Sequence, residues 1–349
     1  MVKANQKIQF NWLWESHAGI VIISIIITIM AVSVMALLVG ISPLSLFIAL
    51  FEGGLVGRYA LSSTIRGIVP LALLGLAVYL PFRAGFFNIG AGGQLEIGAL
   101  VAVVVAININ ISPILGIPLS LLAAALVGIV AVLVPLLLKL YRGANEVTTA
   151  LMIHFATLYF VNAMITGPLK EPGAWYGTTE RIPDQYALPS MSIGGISIHL
   201  GVLLFILITL LMYLVMSKTV FGFRLSVAGY KESVAEAVGI PVKKTIIIAS
   251  LIGAAIGGLA GGIQILGEIF RVAEGWSQDW IFVGIPIAFL AGRSPLAIIP
   301  IAFLFAVLET GARYMQISTG IPSSVIYVFQ YMPVLIFVIL NARRGRFSL

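Results

Sequence analysis

The chain has 349 residues, 60% hydrophobic and only 9% charged, with a mean hydropathy of +1.11. Soluble domains carry about 25% charged residues, so this composition excludes a water-soluble globular protein and points to an all-α polytopic membrane protein. The net charge of +7 fits basic loops between apolar spans rather than a nucleic-acid partner, and with no cysteine the chain has no disulfide, thiolate metal site or cysteine nucleophile.

A helix needs about 20 apolar residues to cross the hydrocarbon core. Candidate spans are 18–40, 62–81, 86–107, 113–138, 147–166, 199–217, 245–266, 280–291, 295–311 and 321–340, about ten transmembrane helices in one permease-sized domain covering 1–349, with the membrane bundle at 18–340. The first span follows Lys3 and Lys7, is too long for a signal-peptide core and lacks a small-residue cleavage site, so it reads as a retained anchor. The eighth and ninth are short. Half-length or re-entrant elements are an open alternative there, tolerated only when buried in protein or lining a cavity.

With the N-terminus inside, the inner loops and termini hold Lys3, Lys7, Arg83, Lys139, Arg142, Lys218, Arg224, Lys231, Lys243, Lys244, Arg293, Arg343, Arg344 and Arg346. The other side or the spans hold Arg58, Arg66, Lys170, Arg181, Arg271 and Arg313. Fourteen of the 20 basic residues against six predicts both termini in the cytoplasm. The loop 167–198 is then external. Its Pro168, Pro172, Pro183 and Pro189 with Trp175 and Tyr176 suit either a docking surface or interfacial anchoring.

The stretch GYKESVAEAVGIPVKK (229–244), in a cytoplasmic loop at 218–244, interrupts the apolar pattern with Lys231, Glu232, Glu236, Lys243 and Lys244. Residues 230–238 fit one short amphipathic helix with Tyr230, Val234, Ala237 and Val238 on one face and Gly239 then Pro241 as a stop. Nine residues cover roughly 14 Å and cannot span a bilayer. By physics alone this helix either lies on lipid or seats in a groove of a soluble partner.

Here the chain resembles the permease subunits of ATP-binding-cassette importers, in the branch that imports ribose-like sugars and nucleosides. The resemblance runs in order through RAGFFNIGAGGQLEIGA (83–99), RGANEVTTALMIHFA (142–156), AGYKESVAEAVGIPVKKTIIIASLIGAAIGGLAGG (228–262), IPIAFLAGRSPLA (285–297) and MQISTGIPSSVIYVFQ (315–330). Phe87-Asn88-Ile89-Gly90 with Gln94, and Asn145-Glu146-Val147, look most like the nucleoside-importing members. The resemblance implies that Tyr230, Glu232, Val234, Glu236, Val238 and Gly239 couple the membrane bundle to a cytoplasmic ATPase. It also implies a second permease subunit, a different chain in the nucleoside branch, and an extracytoplasmic lipoprotein that binds the solute.

Asn88 and Gln94 are costly in lipid and either line a translocation pathway or hydrogen-bond across helices. The family usually places an acid where this chain has Gly92; Glu96, about one turn later, is expected to take its place on a similar face. Asn145 and Glu146 read as a helix N-cap and first-turn acid, or as a cytoplasmic gate. His154, Gln264 and Glu309 are further pathway candidates, with Gln316 a weaker one, and Arg313 stands at i+4 from Glu309, the spacing of an ion pair. Gly253, Gly257 and Gly261, with Gly258 and Gly262, repeat every four residues and predict a flat face for close helix packing.

No strand–Gly-loop–Lys-Ser/Thr sequence for binding nucleotide phosphates occurs anywhere in the chain. ATP and magnesium therefore belong to a partner ATPase, and this chain is expected to bind no cofactor or metal and to catalyse no covalent step. The reading is a multi-pass permease of the cell membrane moving nucleosides by alternating access, with a ribose- or galactose-type sugar permease as the alternative. An ion-coupled secondary transporter would use Glu96, His154 and Glu309 but leaves the 229–244 stretch without a role.

Overall fold

The computed structural model describes residues 17–38, 40–277, 280 and 282–342. Lys3, Lys7, Asp279, Arg343, Arg344 and Arg346 lie outside them. The helices are α1 (His17–Leu38), α2 (Pro43–Leu55), α3 (Arg58–Arg83), α4 (Ala91–Asn108), α5 (Pro113–Arg142), α6 (Glu146–Thr166), α7 (Leu200–Lys218), α8 (Val220–Tyr230), α9 (Glu232–Ala237), α10 (Val242–Gln264), α11 (Gly284–Ala291), α12 (Ile298–Thr319) and α13 (Ile326–Ala342). Among the described residues the one sheet is an antiparallel hairpin of β1 (Ser190–Ile193) and β2 (Ile196–His199), with Ile193 opposite Ile196. Among the described residues nine helical stretches are long and apolar enough to cross a membrane.

Two of the sequence-predicted spans change. The candidate 280–291 contains only the eight-residue α11, whereas 295–311 extends to a full-length stretch, Pro295–Thr319. A helix absent from the sequence reading, α2, lies between the first two spans; its 13 residues are too few to cross. The charged stretch is also not one helix over 230–238. Tyr230 ends α8, and Lys231 is extended (φ −160°, ψ 115°) before α9 starts at Glu232.

α3, α4 and α10 form the centre, and their surfaces explain why. α10 packs against α3, α4 and α5, and its glycines supply the flat face the sequence predicts. Gly258 lies so close to the Ala124 carbonyl of α5, and Gly261 to the Leu95 carbonyl of α4, that a methyl group at either would overlap backbone. Close approach brings van der Waals contact along the backbones, the main attraction between helices in lipid, where apolar side chains gain nothing by leaving the solvent. By contrast α1, α6 and α7 keep most of their apolar side chains on the outside, as helices facing hydrocarbon do. A second cluster joins Val32, Leu46, Leu50, Leu308, Met315 and Phe329, tying α1 and α2 to α12 and α13.

The two ends of the bundle differ. One end gathers Arg83, Lys139, Lys231 and Lys243: Lys139 Nζ donates to the Gly85 carbonyl (3.0 Å), and Lys139, Lys231 and Lys243 line one crevice. The other end carries the 167–198 loop, fastened by buried Tyr186. Its hydroxyl sits 2.9 Å from the Ile109 carbonyl and 2.8 Å from that of Ile111, on the turn between α4 and α5. At that end Arg271 Nη1 meets Glu171 Oε2 at 2.8 Å, and Trp175 and Tyr176 are exposed.

Candidate functional site

The site is built by the segment between α10 and α11. After Gln264 the α10 helix widens into a π-helical turn, Ile265–Ile269, closed by Phe270 at φ +64°. Phe270 is the one non-glycine residue at positive φ among those described. Both features recur at functional sites because each re-aims side chains at a local cost. The chain then pairs edge to edge with the 167–198 loop, through Thr179 N to Val272 O (2.9 Å) and Glu274 N to Gly177 O (2.8 Å). Next it turns into the bundle. Gly284 lies against the Leu74 backbone, halfway along α3, and Phe289 packs on Phe82 at the basic end of α3, with ring centroids 4.6 Å apart. The described residues between Phe270 and Val283 thus cross half the bundle with largely irregular backbone and α11 crosses the other half. This is a discontinuous element of the kind tolerated at membrane depth only where protein or a cavity surrounds it.

Two carboxylates hold that segment in place. Glu96 of α4 accepts hydrogen bonds from Trp276 Nε1 (3.0 Å) and from the Ser277 hydroxyl. Glu309 of α12 accepts from Trp280 Nε1 (3.0 Å) and from Gln330 Nε2 of α13 (3.3 Å). The two indoles stand edge to face, 6.0 Å apart at 84°. Beside them lies a cavity of about 290 Å³ lined by Gln264, Glu268, Trp276, Trp280, Glu309 and Arg313, together with Ser63 and Gly67 of α3. It is close to the small end of the range for small-molecule sites. Arg66 Nε approaches Glu268 Oε1 at 3.2 Å, and Gln264 Nε2 donates to Glu268 Oε2 at 3.2 Å.

The sequence-predicted pathway residues separate into two groups. Gln264 and Glu309 line the cavity, and Glu96 reaches its wall through Trp276. Asn88 and Gln94 do not. They are buried and bond each other twice, Asn88 Nδ2 to Gln94 Oε1 at 3.1 Å and Gln94 Nε2 to Asn88 Oδ1 at 2.9 Å, while Asn88 Nδ2 also reaches the Ala77 carbonyl at 3.1 Å. This closed pair pins the start of α4 against the interior of α3. His154 is buried between α4 and the 270–283 segment, its ring 5.6 Å from that of Phe282 and its backbone against Gly93. Gln316 accepts from the Ser323 amide (3.3 Å) and so braces the turn after α12.

At the basic end Asn145 caps α6, its Oδ1 accepting from the amides of Val147 (2.9 Å) and Thr148 (3.2 Å). Glu146 pairs with Lys139 at 2.5 Å, which ties α6 to α5 and, through Gly85, to the start of the α4 motif. Along α8 and α9, Tyr230 (59%), Val234 (43%) and Val238 (65%) are exposed, while Ala235 is buried against the bundle. Gly239 takes φ +75°, a left-handed turn that glycine makes without steric cost, and Ile240 is buried just beyond it. Glu232 and Glu236 flank the apolar face.

Trp276, Trp280, Glu268 and Arg66 were not singled out as site residues from the sequence. The signals were present but weak: Gln264 and Glu268 are one helical turn apart, and two Trp four residues apart interrupt an otherwise loop-like stretch.

Comparison with known proteins places these features in a family. A guanosine ABC transporter permease protein of Bacillus subtilis, NupP, is 32% identical over 89% of this chain and 90% of its own length. A glucose ABC transporter permease protein of Haloferax volcanii, TsgB13, is 28% identical over 93% and 88%. A nucleoside ABC transporter permease protein of Lactococcus lactis, NupB, is 28% identical over 88% and 86%. No solved structure matches. The family described as branched-chain amino acid transport system / permease component matches residues 59–339, from the first turn of α3 into α13. The chain belongs to that family and is a permease component, a transport subunit rather than an enzyme.

Proposed function

We propose that this chain is the membrane subunit of an ATP-binding-cassette importer for nucleosides, and that the cavity beside Trp276 and Trp280 is a station on the solute's path. The observation that carries the nucleoside reading is the chemistry of that cavity. Two indoles set at right angles offer aromatic apolar surface, while Gln264, Glu268 and Arg313 add polar groups to the same lining. A nucleoside has the same two characters, a flat base and a hydroxylated sugar. The likeness to NupP and NupB, at 32% and 28% identity over most of the chain, supports the same class of solute.

Energy comes from outside the chain, which has no P-loop. In this reading a cytoplasmic ATPase, holding ATP and magnesium, seats on the exposed face of Tyr230, Val234 and Val238. A helix presenting apolar residues at spacings of three and four is the usual geometry for docking into a groove. The basic end of the bundle then faces the cytoplasm, as the excess of Lys and Arg favours, and both termini lie on that side. The 167–198 loop faces a solute-binding lipoprotein, and a second permease chain completes the pathway. Closure of the ATPase moves α8 and α9 and switches the bundle between its two open sides.

The test is reconstitution in liposomes with the ATPase, second permease and binding protein encoded alongside. ATP hydrolysis is expected to rise with guanosine-loaded binding protein and not with glucose-loaded protein. Stimulation by glucose alone would transfer the assignment to sugars, and failure to recover any ATPase with the chain would refute the importer reading.

A further inference from the structure

We infer that Glu268, held in place by Gln264 and Arg66, reads the base edge of the solute and selects purines carrying a ring N–H beside an exocyclic amine, the guanine pattern. This deepens the nucleoside reading above and rests on it.

The inference starts from unused hydrogen-bonding capacity. Gln264 is 2% exposed and its Nε2 is committed to Glu268, yet its Oε1 is buried with no partner among the described residues. That oxygen is sealed from the cavity, so Gln264 serves the site by holding Glu268. Glu268 Oε1 and Oε2 each have one approach, from Arg66 and from Gln264. A carboxylate has about four acceptor positions, so each oxygen can take another donor. The π-helical turn that carries Glu268 keeps it one turn from Gln264, so both side chains line one cavity. Arg66 meets the Glu268 carboxylate from outside that lining and, with Gln264 Nε2, fixes its orientation.

The complementary ligand presents two adjacent donors to the two carboxylate oxygens. Guanine has them on one edge, the 2-amino group and N1–H. Hypoxanthine keeps N1–H and O6 but lacks the amine, and adenine presents an acceptor at N1 where the carboxylate needs a donor. Both indole N–H groups are already donated to Glu96 and Glu309. Trp276 and Trp280 therefore meet a base through their ring surfaces, which do not distinguish one base from another. Discrimination falls to the Glu268 carboxylate, which Gln264 and Arg66 orient. Sites that hydrogen-bond a ligand amine reject analogues lacking it far more strongly than apolar pockets reject a missing methylene.

The test uses the full chain in lipid nanodiscs and displacement of radiolabelled guanosine by unlabelled guanosine, inosine and adenosine. Binding to the permease alone separates its selectivity from that of the binding protein. Guanosine is expected to displace about tenfold better than inosine, the effect of one hydrogen bond to a charged group, and better again than adenosine. Glu268→Gln is expected to bring guanosine close to inosine. Should that variant fail to fold, the wild-type guanosine-to-inosine ratio and Gln264→Leu carry the test. Equal displacement by guanosine and inosine in the wild type, or an unchanged preference in folded Glu268→Gln, overturns the inference while leaving the nucleoside reading intact. No nucleoside bound at all overturns both.

Discussion

Two stretches break the apolar pattern of this chain, and they meet opposite fates. The 230–238 stretch remains at the end of the bundle, with its charges solvated and Tyr230, Val234 and Val238 exposed. The 270–283 stretch is drawn inside, where Trp276, Ser277 and Trp280 are satisfied by two carboxylates from different helices. A polar segment that stays in water needs no partners and can offer its apolar face to another protein. One that enters the bundle must have every donor matched by a group the bundle supplies. Glu96 and Glu309 are therefore anchors for irregular backbone inside the bundle, and the cavity lies beside the tryptophans they hold.

The largest break in that contrast comes from removing an anchor. Glu96→Ala leaves the Trp276 N–H and the Ser277 hydroxyl without their acceptor, and is expected to cost about 2–3 kcal/mol, read as a lowered thermal midpoint in detergent. Glu96→Gln keeps an acceptor oxygen and should cost less. Equal midpoints for wild type and Glu96→Ala would mean that the segment is held by something else.

The exposed stretch should show the reverse signature. Tyr230→Ala is expected to weaken capture of the ATPase by about 2 kcal/mol, the scale of an interface hot spot, with an unchanged thermal midpoint. Glu236→Lys should uncouple ATP hydrolysis from solute uptake with the bundle intact. Normal coupling in that variant would remove α9 from the joint.

A smaller effect is expected where the two kinds of region meet. Lys139 and Glu146 are each about one-quarter exposed, so Glu146→Gln should cost no more than about 1 kcal/mol after screening. That difference should shrink modestly between 50 mM and 500 mM salt, because ions reach a partly exposed pair but screen it less than a fully exposed one. A salt-independent loss would indicate that the pair is sealed from water.

How much of this was legible in sequence follows the same division. Local rules sufficed where a residue acts on its own helix or on a repeating face. Asn145 is the predicted N-cap, and the four-residue glycine spacing of α10 marks the face that meets α4 and α5. They were insufficient wherever a partner comes from a distant element. Asn88 and Gln94 stood out as polar residues in an apolar span, but that they satisfy each other and the Ala77 carbonyl depends on how α3 and α4 pack. Glu96 and Trp276 lie 180 residues apart and meet only through the discontinuous segment. That segment has no helical or strand period to read, which is why 280–291 reads as a short span in the sequence and Trp276 and Trp280 do not stand out. The break at Lys231 between α8 and α9 was likewise invisible, since the apolar spacing runs through it.

The absence of native cysteine makes the central claim directly measurable. Thr310 lines the cavity beside Glu309 and is partly accessible, so Thr310→Cys in the assembled transporter can be followed by its rate of reaction with a small membrane-impermeant thiol reagent. If the cavity holds the nucleoside, saturating guanosine should slow labelling by about tenfold or more, the effect of occupying the site at ten times its dissociation constant, and glucose should not. Labelling indifferent to guanosine, or slowed equally by glucose, would contradict the account.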